Sequence, residues 1–203
     1  MRSFALVFMA VSGLSACVTA PVRYDLQLEG QWQAKALIRD KRAGKSAVVG
    51  LDINAIREQQ MRMDVTAAMG HPVASLVMNG NAMTYVLIEQ KQYYKGAATA
   101  GALKPILAMP LEPKLLYNVM FDLPIADKSW TCTSDNKGYL SECKNMGSET
   151  TIRWSERQGR RKLISLDHAS GSVQISVSKF QPKVEDRAQL FELLPPKSFK
   201  ALR

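Results

Sequence analysis

The stretch "LQLEGQWQAKALIR", residues 26–39, alternates between apolar or small residues and polar ones. One face carries Leu28, Gly30, Trp32, Ala34, Ala36 and Ile38, and the other carries Gln27, Glu29, Gln31, Gln33, Lys35 and Arg39. Successive side chains of a strand point to opposite faces, so this period of two predicts a half-buried β-strand. A sheet made of such strands must bury its apolar face, for example by curling over helices.

The same signal recurs on both sides of a different kind of segment. Further strands are predicted at residues 47–53, 61–65, 73–78, 83–89, 129–133, 138–144, 150–156, 162–166 and 172–180. Residues 92–96 have the character of a short last strand of the first set, and residues 191–196 that of a closing strand. Between the two groups, residues 102–121 are apolar and contain Pro105, Pro110 and Pro113. Proline is tolerated at a helix start and breaks a helix interior, so this segment predicts two short helices with a kinked join. The fold class is therefore mainly β (α+β): a curved antiparallel sheet of about ten to eleven strands, with short helices as a lid or plug.

The N-terminus predicts export. Arg2 precedes a short apolar run at residues 4–13, and the small residues Ser15 and Ala16 come before Cys17. This order is typical of a secretory signal. The sequence "LSAC" at this position resembles a bacterial lipoprotein signal, which implies removal of residues 1–16 and acylation of Cys17, including a palmitate-type chain. The alternative is an ordinary signal peptide that leaves Cys17 as a free thiol.

The remaining cysteines form one pair. Lipidation of Cys17 would leave Cys132 and Cys143 in an oxidising compartment, where disulfides persist. The residues between them include turn formers such as Asp135 and Gly138, so a cross-strand disulfide is predicted, with two reduced thiols as the alternative. Neither histidine has zinc-ligand spacing to the cysteines, and no metal is expected.

The formal net charge of +9 favours anionic lipids or acidic partners, although it also serves solubility alone. The densest basic cluster is "RQGRRK", residues 157–162, where Gln158 and Gly159 indicate a hairpin tip. Charge at such a tip is either simply solvated or used for binding. Nucleic acid is not expected as a partner of an exported lipoprotein. Since no other apolar segment reaches about 18 residues, the lipid would be the sole membrane anchor.

No motif predicts catalysis. The sequence contains no G-x-S-x-G, no H-E-x-x-H and no glycine-rich phosphate loop, and its two histidines lie far apart. Glu185 and Asp186 are adjacent carboxylates in a polar segment, which indicates a solvated loop. The methionines are numerous and flexible, which suits either an adaptable binding surface or an ordinary core. The chain is expected to be a non-enzyme without a cofactor.

The order of elements resembles the LolA/LolB lipoprotein-carrier superfamily, and most closely its LolB-type outer-membrane receptors. The resemblance rests on the lipoprotein signal, the pattern "L-x-G-x-W-x-A-x-A" from Leu28, a "MG" loop at Met69 and Gly70, strands up to "YYKG", the apolar helical stretch and a second set of strands. It covers residues 26–194. Two features depart from the pattern: methionine replaces the usual leucine at position 69, and the cysteine pair is extra.

The resemblance implies an incomplete barrel whose helices form a lid over a cavity for acyl chains. It implies a lipid-transfer or membrane-contacting role for Met69 and Gly70, and the candidate cavity residues are Trp32, Met61, Met63, Leu107, Leu116 and Met120. We expect a lipid-binding, chaperone-like lipoprotein that assists lipoprotein or lipid transport to the outer membrane.

The expected organisation is a signal peptide at residues 1–16, a lipidated tether at residues 17–25 and a single domain at residues 26–203. Val18 in place of aspartate favours the outer membrane, with the protein anchored by its lipid and facing the periplasm. The expected partners are acyl chains, the outer membrane and a LolA-like carrier, and the protein is expected to be a monomer. The alternative is an interaction lipoprotein with a filled core that supports an envelope complex.

Overall fold

The computed structural model describes residues 19–107 and 109–202. Its strands are β1 (Glu29–Asp40), β2 (Lys45–Ile56), β3 (Gln60–Ala67), β4 (Pro72–Asn79), β5 (Ala82–Leu87), β6 (Gln92–Ala97), β7 (Trp130–Ser134), β8 (Leu140–Asn145), β9 (Thr150–Gln158), β10 (Arg161–His168), β11 (Gly171–Gln181) and β12 (Lys200–Ala201). The helices are α1 (Ala100–Leu107), α2 (Leu115–Phe121) and α3 (Arg187–Leu190), and a 3-10 turn covers Tyr24–Leu26.

The strands form one curved, open sheet in the order β12-β6-β5-β4-β3-β2-β1-β11-β10-β9-β8-β7. The predicted fold class is confirmed, with one more strand than expected. All pairs are antiparallel except β12 with β6, which is parallel. The concave side buries the core around α1 and α2. The sheet is thus an incomplete barrel whose interior is occupied by two short helices.

Strand β1 lies near the centre of this sheet, between β2 and β11. Trp32, Ala34 and Ala36 are buried, as their shared face predicts. Leu28 departs from the prediction, since the strand begins only at Glu29 and the Leu28 side chain is 67% exposed. It lies in the bend before the strand, where the sheet does not fix which way side chains point.

The antiparallel order gives the sheet two ends, which we call the tether end and the far end. The tether end holds the start of β1 and the turns at residues 57–59, 80–81, 135–139 and 159–160. The far end holds the turns at residues 41–44, 68–71, 88–91, 146–149 and 169–170.

The prediction of two short helices with a break between them is confirmed, although α1 begins two residues earlier than expected. Pro105 lies inside α1, and the helix ends two residues later. Helix α2 begins two residues after Pro113 and ends at Asp122, which adopts a left-handed conformation. The prolines therefore limit both helices to about two turns each.

The predicted closing strand at residues 191–196 is wrong. Phe191 follows α3 and packs with Val77 and Val184 in a separate small cluster on the outer side of β4. The backbone there accepts hydrogen bonds from side chains, including Asn79 Nδ2 to Phe191 O at 3.1 Å, and forms no strand. Its apolar residues pack on the face of the sheet, and a short apolar run before prolines does not distinguish such packing from a strand paired at an edge.

The signal segment 1–16 and Cys17 lie outside the described residues. Within the predicted tether at residues 17–25, the Tyr24 side chain is buried in the core. In the part of the chain that the structure describes, no helix has the length and hydrophobicity needed to cross a bilayer.

Candidate functional site

The feature of the interior with the clearest chemistry is an apolar cavity between α1 and the sheet. Its walls are Met63 and Val65 of β3, Ala74 and Leu76 of β4, Leu103, Ile106 and Leu107 of α1, Leu111, Leu116 of α2, Leu166 of β10, and Val173 and Ile175 of β11. Every one of these residues is apolar, and no polar group reaches the cavity from them. Such a surface binds hydrocarbon and offers nothing to a polar ligand.

The cavity is small. Its volume of about 50 Å³ is about a third of that of a cavity of roughly 150 Å³ that holds one benzene molecule. An acyl chain therefore fits only if the cavity enlarges. Strands of the sheet form the other walls, so the part of the cavity that can move is the wall formed by the helices.

The six predicted cavity residues divide into two groups. Met63, Leu107 and Leu116 line the cavity. Trp32, Met61 and Met120 are instead fully buried in the continuous core. Trp32 packs edge-on against Phe121 of α2 with ring centroids 5.0 Å apart. The structure thus brings together half of the set and places the other half around α2.

Helix α1 covers the cavity with few attachments. Only Ala102 and Leu103 of its eight residues are buried, and Ile106 and Leu107 are half-buried. Its one charged residue, Lys104, is exposed. A β-carbon added at Gly101 would meet nothing within 4 Å. The helix is therefore held mainly by the apolar contacts that line the cavity.

Helix α2 is anchored by a buried ionic network at its C-terminal end. Lys162 Nζ lies 2.6 Å from Asp122 Oδ1 and donates a hydrogen bond to Met120 O at 2.5 Å. Arg157 forms an ion pair with Asp122 Oδ2 and donates to Leu140 O at 2.5 Å. In addition, Trp154 Nε1 donates to Val119 O at 3.0 Å. These bonds join α2 to β9 and β10.

The lysine of this network lies in a low-polarity environment. Lys162 is buried, and its Nζ lies 3.8 Å from the centroid of the Tyr24 ring. Burial lowers the pKa of Lys162 to about 8, against the opposing effect of Asp122. Burial also raises the pKa of the Tyr24 phenol, with a further contribution from Asp122.

This network was not predicted from the sequence, because the basic cluster at residues 157–162 was interpreted only as a hairpin tip. The tip itself is confirmed, with Gly159 at φ +54° between β9 and β10. The signal for the buried lysine was present in the strand period: Lys162 shares the parity of Ile164 and Leu166, both of which are buried. A cation in phase with core residues requires a buried counter-charge.

Met69 lies at the tip of the turn between β3 and β4, at the far end, and is 86% exposed. Gly70 follows it at φ +80°, a conformation that favours glycine. Ala67 N donates to His71 O at 2.8 Å and closes the turn. Met146, between β8 and β9, is also at the far end and is 80% exposed. The cavity is lined by the halves of β3, β4, β10 and β11 that lie nearest this end.

The structure contains the disulfide between Cys132 and Cys143, which are directly paired across β7 and β8. It lies remote from the cavity and closes the hairpin at the β7 edge of the sheet. Ile125 N contacts Cys132 Sγ at 3.4 Å, so the bridge also holds the segment that leaves α2.

Among the described residues, the polar groups singled out from the sequence lie in turns and loops or at the end of a strand. His71 is exposed at the β3–β4 turn, and His168 Nδ1 lies 2.8 Å from Ser170 Oγ at the β10–β11 turn. Glu185 and Asp186 are exposed. Within residues 19–107 and 109–202, no group of three or more His, Cys, Asp or Glu side chains is arranged to hold a metal ion.

Comparison with known proteins gives similarity of structure without similarity of sequence. No family model matches the sequence, and no curated protein matches it. A LolA superfamily protein from Nitrosomonas europaea is similar in structure with a TM-score of 0.51 at 8% identity, over 84% of this chain and 94% of that one. An uncharacterized conserved protein from Thermus thermophilus has a TM-score of 0.45 at 12% identity, over 90% and 94% of the two chains. A DUF1329 family protein from Desulfovibrio piger has a TM-score of 0.46 at 10% identity, over 83% and 91%. The twelve-stranded sheet around two short helices is thus similar in fold to that LolA superfamily protein.

Proposed function

We propose that this chain is an outer-membrane lipoprotein that faces the periplasm, binds acyl chains beneath α1 and assists lipoprotein or lipid delivery. The observation that carries the proposal is the cavity between α1 and the sheet, whose twelve lining residues are all apolar. A hydrocarbon chain gives up no hydrogen bonds when it enters such a space. An unpaired polar group would cost about 1–3 kcal/mol there. The similarity of fold to a LolA superfamily protein supports the same role.

The proposed binding step is displacement of α1. The free volume of about 50 Å³ is insufficient for an acyl chain, so the chain must replace contacts that α1 makes with the sheet. The replaced contacts are apolar, and the incoming chain restores apolar contacts. The exchange therefore breaks no buried hydrogen bond of an α1 side chain, while α2 keeps its ionic anchor.

Cargo binding is tested by displacement of a fluorescent fatty acid, with native mass spectrometry of the purified protein to detect acyl species that co-purify. Ala74→Leu extends a cavity wall into the free space and should weaken binding about tenfold or more, while overpacking lowers the free energy of unfolding by about 1–3 kcal/mol. The matched control is Ala47→Leu, which makes the same change at an exposed position of β2. Equal binding by the two variants, or absence of fatty-acid binding by the wild type, would contradict the proposal.

The proposal assigns the Met69 loop to cargo transfer. Met69→Glu should leave the melting temperature unchanged, since the side chain is exposed, and should reduce transfer of acylated cargo from a LolA-like carrier to vesicles. Met146→Glu is the control, because it places the same charge at a similarly exposed position of the same end. Normal transfer by Met69→Glu, or an equal loss in both variants, would remove the specific role of this loop.

A second candidate function has its own observation in favour. Trp32, Met61 and Met120 fill the interior almost completely, which suits a scaffold lipoprotein that supports an envelope complex. A purified protein without acyl species, together with a stable protein partner, would favour the scaffold. Both functions require the anchor, so Cys17→Ser should release the protein from the membrane fraction in either case.

A further inference from the structure

The tether end of the sheet presents an exposed surface that neither the cavity nor the core uses. It consists of Leu26, Leu28, Arg160 and Arg161, which we call the tether-end surface. Leu26 and Leu28 are 70% and 67% exposed, among the most exposed large apolar side chains of the described chain. Beside them, the half-buried Arg57 donates its backbone N–H to Leu28 O at 2.8 Å and its guanidinium to Asp25 O at 2.9 Å, which fixes the segment that carries the leucines.

The chain that leads to Cys17 is fixed next to this surface. Val22 N donates to Gly159 O at 2.9 Å, and Tyr139 Oη donates to Pro21 O at 3.1 Å. Tyr24 Oη donates to Arg160 O at 2.8 Å and joins the same segment to the hairpin. Residues 21–24 are therefore bound to two turns, the β9–β10 turn and the β7–β8 turn.

The remaining length of chain sets a distance. Five residue steps separate Cys17 from Val22, and a fully extended chain covers at most about 3.6 Å per residue. An acyl group on Cys17 therefore holds Val22 within roughly 18 Å of the membrane interface. The tether-end surface lies next to this segment, because Tyr24 Oη donates to Arg160 O and Leu26 follows Val22 by four residues.

The charge of the surface suits an anionic membrane. Arg160 and Arg161 form no ion pair within residues 19–107 and 109–202, and both are exposed. No carboxylate lines the groove between them and Thr19. Two carboxylates near the leucines are already paired, Asp25 with Arg23 and Glu29 with Arg187. Exposed acidic residues remain at this end, among them Glu58 and Asp135 in the turns and Glu185 and Asp186 after β11, but none of them lines the groove that holds Arg160 and Arg161.

We propose that the tether-end surface docks on the anionic phospholipid bilayer that holds Cys17. The leucines enter the interfacial region, and the arginines bind lipid phosphates, as planar guanidinium groups do readily. This inference rests on the proposed function, since the acylated Cys17 sets the distance. It adds that the molecule stands on the tether end, so that the Met69 loop and the cavity-lining half of the sheet point away from the supporting membrane toward incoming cargo.

The experiment measures partition of the mature Cys17→Ser protein, which lacks the lipid, onto phosphatidylcholine vesicles with and without 30% phosphatidylglycerol. The wild-type surface should bind the anionic vesicles and should bind the neutral ones much more weakly. Arg160→Glu with Arg161→Glu should lower binding about tenfold or more. Leu26→Ser with Leu28→Ser should lower it severalfold, and this loss should persist at high salt.

Each pair has a matched control at the far end. Arg42→Glu with Lys45→Glu makes the same charge change at exposed positions around the β1–β2 turn. Val48→Ser with Met146→Ser removes two exposed apolar side chains from the far half of the sheet. Controls that bind like the unmodified protein support docking through the tether end. Controls that lose as much binding as the test pairs, or absence of binding to anionic vesicles, overturn it. Fatty-acid displacement on the same variants reports the cavity separately, so failure of the surface is distinguishable from failure of the proposed function.

Discussion

Helices α1 and α2 occupy the same concave sheet, have nearly the same length and are equally limited by proline, yet they are attached by different physics. Two of eight residues are buried in α1, against five of seven in α2. Asp122, directly after α2, forms ion pairs with both Lys162 and Arg157. Helix α1 rests on the cavity through apolar side chains such as Leu103 and Leu107.

This difference separates a fixed helix from a movable one. Displacing α2 would expose the buried charges of Asp122 and Lys162 to a changed environment and would remove a large part of the core. Displacing α1 costs apolar burial, which a bound acyl chain replaces. A cavity that is nearly closed in the free protein is therefore compatible with binding, provided that the two helices differ in attachment as they do here.

The largest effect is expected from removal of the anchor of α2. Asp122→Ala leaves Lys162 and Arg157 without their buried counter-charge and should lower the free energy of unfolding by about 3–5 kcal/mol. Asp167→Ala removes the carboxylate of the exposed pair with Lys41 and should cost less than about 1 kcal/mol. Urea unfolding of both variants gives the comparison. Similar losses would show that the buried network does not hold α2.

A smaller effect is expected from the same truncation in each helix. Leu116→Ala in α2 and Leu107→Ala in α1 both remove a wall of the cavity. Leu116 is buried and should cost about 2–3 kcal/mol, whereas the half-buried Leu107 should cost about 1 kcal/mol. Thermal unfolding measures both, and an equal loss would remove the distinction between the helices.

The next effect depends on pH. Lys162 has a pKa of about 8 in the folded protein and 10.5 as its ordinary value. Between these values the unfolded chain binds more protons, so the contribution of Lys162 to the free energy of unfolding increases with pH, by at most about 1.4 kcal/mol per unit. Below about pH 8 both states carry the proton, and the contribution is constant.

The measurement compares wild type with Lys162→Met by urea unfolding from pH 7 to 9.5. The difference between the two proteins removes the effects of other titrating groups, including the buried tyrosines. The wild type should gain stability relative to the variant as the pH passes 8. A constant difference would mean that the network keeps the lysine protonated throughout.

The smallest effect is expected in α1 itself. Gly101→Ala introduces a better helix former where the added β-carbon meets open space, and it should stabilise the protein by about 0.5–1 kcal/mol. Amide hydrogen exchange in residues 100–107 should slow, and fatty-acid binding should weaken slightly if α1 must move. Gly70→Ala is the control, since φ +80° makes the same change unfavourable there. Faster exchange in α1 of Gly101→Ala would contradict this account.

The alternation of apolar and polar residues predicted most of the sheet, because the buried residues of a half-buried strand recur at every second position, as do Trp32, Ala34 and Ala36. Proline placement likewise predicted the two helices. The prediction failed at residues 191–196, where a short apolar run packs on the outer side of β4 and forms no strand. Alternation was also insufficient for the cavity, because lining residues such as Met63, Leu107 and Ile175 come from distant strands and a helix. The ionic network required knowledge that Asp122 and Lys162 meet in space.

The central position of β1 has a consequence for how the molecule folds. Strands β1 to β6 and strands β7 to β11 are two meanders in which each strand pairs with its neighbour in sequence. The meanders join through β1 and β11, where Gln31 pairs with Gln181. This contact closes a very long loop, and such closures slow folding. Strand β1 can therefore pair with β11, its second neighbour, only after nearly the whole chain is available.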